Sequence, residues 1–400
     1  MSSPASSPAD PPTPVRALTV LALAGFASSA SIRIADPLLP QVAQDFAVAT
    51  GEAAMMVTAF GLGYGGLQIV YGPIGDRYGK YQTVAVICLL AAIGSYACAI
   101  VDDLWGLSVA RFVSGAVSAA IVPMAFAWIG DVIPFHRRQP IFARYLSGQI
   151  MGQIAGQAMG GVLGEWLGWR QVFVVLAVIH LIAAAAMLLE LKLSPATRNA
   201  SVGQSRGLME ALRLYPAILA RPQARMVLSI ITVEGGLMFG TVAFVGADLH
   251  ARLGASFSVV GLSLMAFGGG GLIYTLNAPF LFNLLGERGL ARIGGAVLGA
   301  GYILLALSPS LAMAIPCIAA MGLGFFMMHN TLQTQGTQMA PEARGTALSM
   351  FGFAFFTGQA IGVALGAWIV DRWGAPPLFI GAGVGLMMVG LVFSRRLPRR

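Results

Sequence analysis

Four acidic or arginine side chains lie inside long apolar runs of the sequence, where an isolated charge is costly. They are Arg33, Asp36, Arg111 and Glu234. An ionisable residue within a membrane segment faces the protein interior or water, and by default it marks a path for a substrate or a proton. The chemistry that these residue types allow is reversible proton transfer and the binding of a polar solute.

Glu234 is the only carboxylate deep in the second half of the chain. It lies about eight residues into a predicted span, which is roughly 12 Å at 1.5 Å per residue. Burial favours the neutral form of a carboxyl group, so Glu234 could exchange a proton near neutral pH. The alternative is a structural hydrogen bond.

Arg33 and Asp36 are three residues apart and therefore share one face of a helix. The pair could bind substrate or protons. Because only sixteen residues separate Arg16 from Arg33, the pair could instead lie at the outer rim, with the Arg33 side chain reaching the membrane interface. Arg111 stands several residues inside a span and is expected to point inward; a structural pair with Asp36 or Glu52 is the alternative to a transport role.

Three further polar residues are weaker candidates for binding substrate or protons. They are His329, Gln157 and Gln359, and the two glutamines occupy matching places in the two halves of the chain. Structural hydrogen bonding is the alternative for His329, as it is for His180. Helix packing is the alternative for the glutamines.

The composition describes a membrane protein. The chain of 400 residues is 57% hydrophobic and 10% charged, whereas a soluble globular chain has about 25% charged residues. The three cysteines lie in apolar runs and show neither a disulfide framework nor the spacing of metal ligands. The sequence shows no catalytic cluster of acid, base and nucleophile, so we expect neither an enzyme nor a metal or cofactor site.

The net charge of +8 could suggest a nucleic-acid-binding protein, but the placement of the basic residues argues against it. Cytoplasmic loops of membrane proteins collect Lys and Arg. If the first span enters from the cytoplasm, 19 of the 24 basic residues fall in cytoplasmic segments, and only Arg170, Arg252 and Arg372 fall in loops on the other side. The pattern predicts that both termini are cytoplasmic.

Runs without charged residues predict twelve spans. The 49 residues 293–341 contain no Asp, Glu, Lys or Arg, and this run is too long for one span, so we expect a break at Ser308 to Ser310. The predicted segments are a disordered tail at 1–14, a six-helix bundle at 15–189, a cytoplasmic linker at 190–225 with a short surface helix at 206–220, a six-helix bundle at 226–394 and a basic tail at 395–400.

An internal repeat supports two related halves. Gly156-Gln-Ala-Met-Gly-Gly-Val-Leu-Gly-Glu-Trp166 matches Gly358-Gln-Ala-Ile-Gly-Val-Ala-Leu-Gly-Ala-Trp368, with seven identities in eleven positions. Chance similarity between two glycine-rich helices is the alternative. Small residues four apart let helices approach closely. The glycines expected to serve helix packing are Gly148, Gly152, Gly156, Gly160, Gly164, Gly358, Gly362 and Gly366.

A segment rich in glycine and charge, Tyr71-Gly-Pro-Ile-Gly-Asp-Arg-Tyr-Gly-Lys80, separates the charge-free runs 53–75 and 81–101. Each run is long enough to cross a bilayer, so we expect a tight loop between two antiparallel helices. The loop resembles the G-x-x-G-D-R-x-G-[RK] motif of the major facilitator superfamily of secondary transporters, and the residues that carry the resemblance are Gly72, Gly75, Asp76, Arg77, Gly79 and Lys80.

The resemblance implies an all-α fold of twelve transmembrane helices in two pseudo-symmetric six-helix bundles, with the substrate site between them. It also implies a conformational latch at the loop. In the family, the acid that corresponds to Asp76 meets the N-terminus of helix 11, and the base that corresponds to Arg77 meets an acid ending helix 4, where Asp131 stands here. A role in topology and folding alone is the alternative.

Three further motifs resemble those of the twelve-helix drug/proton antiporters, the arabinose-efflux-like branch. Asp36-x-x-x-Pro40 is similar to the helix 1 motif whose acid contributes to substrate or proton binding. Arg111-Phe-Val-Ser-Gly115 is similar to the helix 4 motif R-x-x-Q-G, whose arginine is linked to proton transfer, with Ser in place of Gln. Gly156-Gln-Ala-Met-Gly-Gly161 is similar to the helix 5 signature G-P-x-x-G-G, with Gln in place of Pro.

These observations together favour a monomeric secondary transporter in a bacterial-type inner membrane. The expected function is efflux of small organic or drug-like compounds in exchange for protons, by alternating access. The alternative is a proton symporter or facilitator that takes up a sugar or another small nutrient. The expected partners are a small-molecule substrate, protons and the lipid bilayer.

Overall fold

The computed structural model describes residues 13–68, 70–134, 137–198 and 208–397. Within these ranges the secondary structure consists of α-helices and short 3-10 turns, without strands. Most of the tail predicted at 1–14, and the last three residues of the tail predicted at 395–400, lie outside the described residues.

The helices of the first half are α1 (Val15–Arg33), α2 (Leu39–Asp45), α3 (Thr50–Ala53), α4 (Met55–Leu67), α5 (Tyr71–Tyr78), α6 (Lys80–Ile100), α7 (Leu104–Ser118), α8 (Ile121–Val132), α9 (Arg138–Leu167) and α10 (Trp169–Leu193). Two short helices follow, α11 (Pro195–Arg198) and α12 (Leu208–Leu219). The helices of the second half are α13 (Pro222–Val242), α14 (Val245–Leu253), α15 (Phe257–Leu307), α16 (Leu311–Gln338), α17 (Arg344–Trp373) and α18 (Ala375–Arg396).

These helices make twelve passes across the membrane within the described residues. Nine helical stretches are long and apolar enough to cross a membrane by length and composition. One further pass is α9, which is rich in glycine and glutamine, and another is α4 followed by α5. The twelfth arises because α15 holds two passes: its 51 residues break at Gly286, with φ 61° and ψ 178°. The break predicted at Ser308 to Ser310 falls between α15 and α16.

The loop predicted at residues 71–80 is shorter than expected. Tyr71–Tyr78 is helical, and the chain turns at Gly79, whose φ of 89° is in the left-handed region. Only glycine adopts such a φ without a steric penalty, so the turn is fixed at this residue. The predicted surface helix at 206–220 corresponds to α12, and residues 199–207 before it lie outside the described part of the chain.

Successive passes alternate in direction, so the connections fall on two faces. We call the side that holds the start of α1, the turn at Gly79 and the end of α18 the terminal face. We call the other side the opposite face. The turns at Gly168, Gly254 and Gly374 lie there.

Each half is a bundle of six passes. In the first half α1 packs against α9 and α10, and in the second half α13 packs against α17 and α18. The two halves meet along two pairs of helices, α9 with α15 and α4 with α17. A polar group near these pairs therefore lies at the boundary between the two halves.

The glycine-rich repeat serves the same packing in both halves. On α9, a Cβ atom at Gly152 would collide with the backbone carbonyl of Phe26 on α1. On α17, a Cβ atom at Gly362 would collide with the backbone of Gly236 on α13. The absence of side chains lets the backbones approach. The other stripe glycines, Gly148, Gly156, Gly160, Gly164, Gly358 and Gly366, likewise contact α1, α13 or the segments that continue them.

Candidate functional site

The first charged pair lies where α1 ends. Arg33 is the last residue of α1, and Asp36 opens the 3-10 turn Asp36–Leu38 that Pro37 helps to form. Arg33 Nη1 donates a hydrogen bond to Asp36 Oδ2 over 3.3 Å, and the two residues are 4% and 1% exposed. The pair is therefore buried inside the protein, and its depth in the membrane stays a prediction.

The guanidinium of Arg33 also contacts the second half. Its central carbon lies 3.6 Å from the ring centre of Phe239 on α13, which is a cation–π contact. Arg33 Nε and Asp36 Oδ1 are buried and have no hydrogen-bond partner among the described residues. The pair therefore bridges the two halves and keeps unused donor and acceptor capacity.

Arg111 points into the first bundle, as predicted, but its partner is a backbone group. Nη1 and Nη2 each donate to the carbonyl oxygen of Ser31 over 3.3 Å, and the guanidinium lies 4.0 Å from the ring centre of Phe60. Ser31 is in the last turn of α1, where carbonyls lack helical donors. Among the described contacts, Arg111 makes no hydrogen bond or ion pair within 4 Å with Asp36 or Glu52, although it attracts Asp36 electrostatically from further away.

His180 on α10 joins the same group. Its Nε2 lies 3.5 Å from Ser31 Oγ, and its Nδ1 lies 3.0 Å from the carbonyl oxygen of Leu176. Ser31 thus contacts both Arg111 and His180. No sequence signal singled out this serine, because its role comes from the position at which α1 ends.

The second half holds one buried carboxylate with a histidine partner. Glu234 on α13 is 0% exposed, and its Oε2 lies 2.8 Å from Nδ1 of His329 on α16, whose side chain is 15% exposed. Glu234 Oε1 is buried without a hydrogen-bond partner among the described residues. The structure therefore brings together two of the predicted site residues that are far apart in sequence.

An aromatic cluster surrounds this pair. The His329 ring stacks on Phe325 at 4.7 Å and lies 5.3 Å from Phe355. Both of these rings contact Phe239, at 5.2 and 5.3 Å between ring centres. Because Phe239 also lies under Arg33, the aromatic cluster connects the two charged pairs. The sequence did not identify these rings as site residues.

Gln157 and Gln359 lie on the two helix pairs that join the halves. Gln157 on α9 is 3% exposed, and its backbone carbonyl oxygen lies against Gly261 of α15. Gln359 on α17 is 2% exposed, and its amide faces Gly61 of α4. Gln359 Oε1 has no hydrogen-bond partner within the described part of the chain.

At the predicted latch on the terminal face, the described contact of Asp131 is with Lys80 and not with Arg77. Asp131 Oδ2 accepts a hydrogen bond from Lys80 Nζ at 2.5 Å, while the exposed Arg77 lies over the ring of its neighbour Tyr78. Gly75 faces the side chain of Met124 on α8. The surroundings of Gly72 and Asp76 lie outside what the structure describes, so the predicted contact of Asp76 stays a prediction.

Over the described residues, no three His, Cys, Asp or Glu side chains are grouped so that they could hold a metal ion. Cys88, Cys98 and Cys317 are free and buried.

Comparisons with known proteins agree with this architecture. The chain is 28% identical over 385 residues to the probable transporter SCO4007 of Streptomyces coelicolor, covering 93% of this chain and 85% of the relative. It is 25% identical over 375 residues to the inner membrane transport protein YdhP of Escherichia coli, covering 90% and 91%. A bacterial homologue of the human lysosomal transporter Spinster, solved in an inward-facing and unoccupied conformation, superposes with a TM-score of 0.75 at 17% identity over 96% of both chains.

The model of the Major Facilitator Superfamily matches residues 21–363. This match spans most of both bundles, including Arg33, Asp36, Arg111 and Glu234. It agrees with the twelve passes, the repeated glycine-rich helix and the polar centre between the halves. The chain is a multi-pass membrane transporter that belongs to the major facilitator superfamily.

Proposed function

We propose that this protein is a proton-coupled secondary transporter that exports small organic compounds across a bacterial-type inner membrane. In this proposal the terminal face is cytoplasmic, which follows from its excess of Lys and Arg. The two bundles rock about the contacts of α9 with α15 and of α4 with α17, so that the polar centre opens to each side in turn.

The observation that carries the proposal is the pair of Glu234 and His329. A fully buried carboxylate is costly when it is charged and unpaired. Glu234 is fully buried, and its described hydrogen-bond partner is His329, whose side chain is 15% exposed. This arrangement supports a site that takes up and releases a proton as access to water changes.

The pair of Arg33 and Asp36 supports the coupling to movement. Arg33 lies 3.6 Å from the Phe239 ring, which belongs to the other half. Movement of the two halves apart at Arg33 and Phe239 would break that contact and admit water to Asp36. Binding of a proton or a polar solute at Asp36 would then depend on the conformation of the transporter.

The direction of transport rests on the motif at residues 156–161, which resembles the antiporter signature. The name of the relative YdhP, an inner membrane transport protein, supports the proposed location. Gln157 stands in place of the proline of that signature. This substitution favours the second candidate function, a proton symporter or facilitator for uptake of a sugar or other small nutrient.

Transport by purified protein in liposomes, with an imposed pH gradient and a panel of small organic compounds, tests the proposal. For an antiporter, vesicles that are acidic inside accumulate substrate, because protons leave as substrate enters. For a symporter, accumulation requires the acidic side to be outside. The orientation of the gradient that drives uptake therefore separates the two functions.

Glu234→Gln and Asp36→Asn are the informative variants in this assay. We expect Glu234→Gln to lower gradient-driven flux at least about tenfold, because a carboxamide cannot exchange a proton. The control is Glu52→Gln, which neutralises an exposed carboxylate and should transport like the wild type. Full gradient-driven flux in both Glu234→Gln and Asp36→Asn would show that the coupling residues are wrongly assigned.

The orientation in the membrane has its own test. Reporter tags inserted in the connection between α10 and α13 should be accessible only from the cytoplasm. Labelling of those tags by impermeant reagents in intact cells would contradict the proposed topology.

A further inference from the structure

Two carboxylates connect the halves at the opposite face, and each belongs to a different half. Oε2 of Glu165, near the end of α9, accepts a hydrogen bond from the backbone N–H of Ser258 at the start of α15, with 2.5 Å between oxygen and nitrogen. Oδ1 of Asp371, near the end of α17, accepts one from the backbone N–H of Gly51 at the start of α3, over 2.8 Å. The two contacts are thus reciprocal.

The reciprocity is a property of the fold rather than of the sequence repeat. The repeat aligns α9 with α17 at an offset of 202 residues, which places Ala367 and not an acid opposite Glu165. Asp371 lies four residues further on, about one helical turn. The two halves therefore have the same type of contact at positions that the repeat does not equate.

The chemistry of both contacts is the same. The first amides of a helix have no acceptor within the helix, and each carboxylate supplies one. A carboxylate that accepts a hydrogen bond from such an amide makes a charge-assisted bond. Glu165 and Asp371 are both exposed, so solvent screens each contact and makes it weak enough to break during a cycle.

Further from the opposite face than these two contacts, the halves are closely packed, and we call this packed region the closed layer. A Cβ atom at Gly161 of α9 would collide with the backbone of Phe257 and Gly261 on α15. Gly246 lies against the carbonyl oxygen of Asp36 and the side chain of Val260, which is 0% exposed. Opening of the opposite face has to separate this layer as well as both carboxylate contacts.

A cavity of about 250 Å³ lies on the same face and takes its walls from both halves. The two halves are therefore separated at this cavity, whereas the contacts of Gly246 with Asp36 and Val260 remain closed. The residues that line it are Pro40, Ala43, Gln44, Val48, Thr50, Ala247, His250 and Ala251.

We propose that Glu165 and Asp371 are a pair of latches that hold the opposite face closed while the transport site faces the terminal side. Both latches break when the opposite face opens. The inference rests on the alternating access of the proposed function. It does not depend on proton coupling, on the direction of transport or on the identity of the substrate.

The test measures how often the opposite face opens, with a cysteine at a buried position of the closed layer. Val260→Cys places a thiol at a side chain that is 0% exposed. An impermeant maleimide added to protein in liposomes labels this thiol only when the layer opens. Maleimide labelling of the protein that keeps Val260 measures the background reaction of the buried native cysteines. Leu38→Cys, at a position 0% exposed in the 3-10 turn Asp36–Leu38 of the first half, is a second reporter if Val260→Cys folds poorly.

The test variants are Glu165→Ala, Asp371→Ala and the double variant, each combined with the reporter. We expect labelling to be about threefold faster in each single variant and about tenfold faster in the double variant, since the population of the open state rises as contacts of the closed state are lost. Asp102→Ala removes an exposed acid in the turn between α6 and α7 on the same face, and it should leave the labelling rate unchanged.

Unchanged labelling in the double variant, or an equal acceleration by Asp102→Ala, would overturn the latch. Labelling is measured without substrate and without a pH gradient. A protein whose labelling responds as expected but whose flux ignores the pH gradient would disprove proton coupling and leave the latch in place. A protein that transports as proposed but whose labelling does not respond would disprove the latch alone.

Discussion

The two halves of this transporter share their packing and differ in their polar centres. In both, a glycine-lined helix, α9 or α17, lies directly on the backbone of the first helix of its bundle. The polar groups are not repeated. The first half holds Arg33, Asp36 and Arg111 near the end of α1, whereas the second half holds Glu234 with His329 among aromatic rings.

The difference indicates a division of roles within a symmetric scaffold. Close packing of small residues is required wherever two helices must approach, so both halves keep it. The proposed proton coupling needs only one carboxylate whose surroundings change during the cycle, and one half is sufficient for it. We therefore expect changes to the glycines to act alike in both halves, and changes to the polar centres to act differently.

The largest expected effect concerns the shared packing. Gly152→Ala and Gly362→Ala should each lower the unfolding free energy by about 1–3 kcal/mol, because the new methyl group overpacks the contact. Gly66→Ala is the matched control, since a Cβ atom there would meet nothing within 4 Å. Thermal unfolding of the purified variants in detergent measures the effect. A large loss in one half with none in the other would contradict equivalent packing.

The second prediction compares His329 of the second half with His180 of the first half. His329→Gln should lower gradient-driven flux at least about tenfold, because the new side chain can still hydrogen bond to Glu234 but cannot carry a proton. His180→Gln should change flux less than about twofold, since His180 contacts Ser31 and a backbone carbonyl rather than a carboxylate. Liposome flux under a pH gradient measures both variants, and equal losses would remove the proposed difference between the halves.

The third prediction concerns the contact that joins the two centres. Phe239→Leu keeps an apolar side chain but removes the ring face under Arg33, and should cost about 0.5–2 kcal/mol of stability through the lost cation–π contact. A double-mutant cycle with Arg33→Gln isolates this contact in unfolding measurements. Strictly additive effects of the two changes would show that the contact contributes nothing.

The smallest expected effect is on the terminal face. Lys80→Ala should lower the unfolding free energy by at most about 1 kcal/mol, as expected for a partly exposed ion pair, and Arg77→Ala should change it less. The reason is that Asp131 bonds to Lys80, whereas Arg77 is exposed and lies over Tyr78. A larger effect of Arg77→Ala in the same unfolding assay would support the predicted contact between Arg77 and Asp131.

Much of the fold could be predicted because charge is excluded from the bilayer. Charge-free runs gave the spans, and the segment Ser308-Pro-Ser310 gave the break in the long apolar run. The burial of Glu234 and the inward direction of Arg111 follow from the same cost of charge. These inferences need only the position of a residue along the chain.

The partners of the site residues could not be predicted, because they depend on how each helix is rotated and where it ends. His329 lies 95 residues from Glu234, and nothing in their local patterns fixes that the two face each other. Arg111 bonds to the carbonyl of Ser31 only because α1 ends at Arg33. Similarly, the helix that extends to Tyr78 brings Lys80 rather than Arg77 to Asp131 in the described contacts.

The break at Gly286 joins two passes of α15 with a single residue of non-helical backbone. Successive residues of an α-helix differ by about 100° in direction. One residue inserted at this turn would rotate the following pass by that angle and carry the Tyr302 hydroxyl away from the Met238 carbonyl, which it now contacts at 2.7 Å. The chain length at this corner therefore sets which side of the ninth pass faces the core.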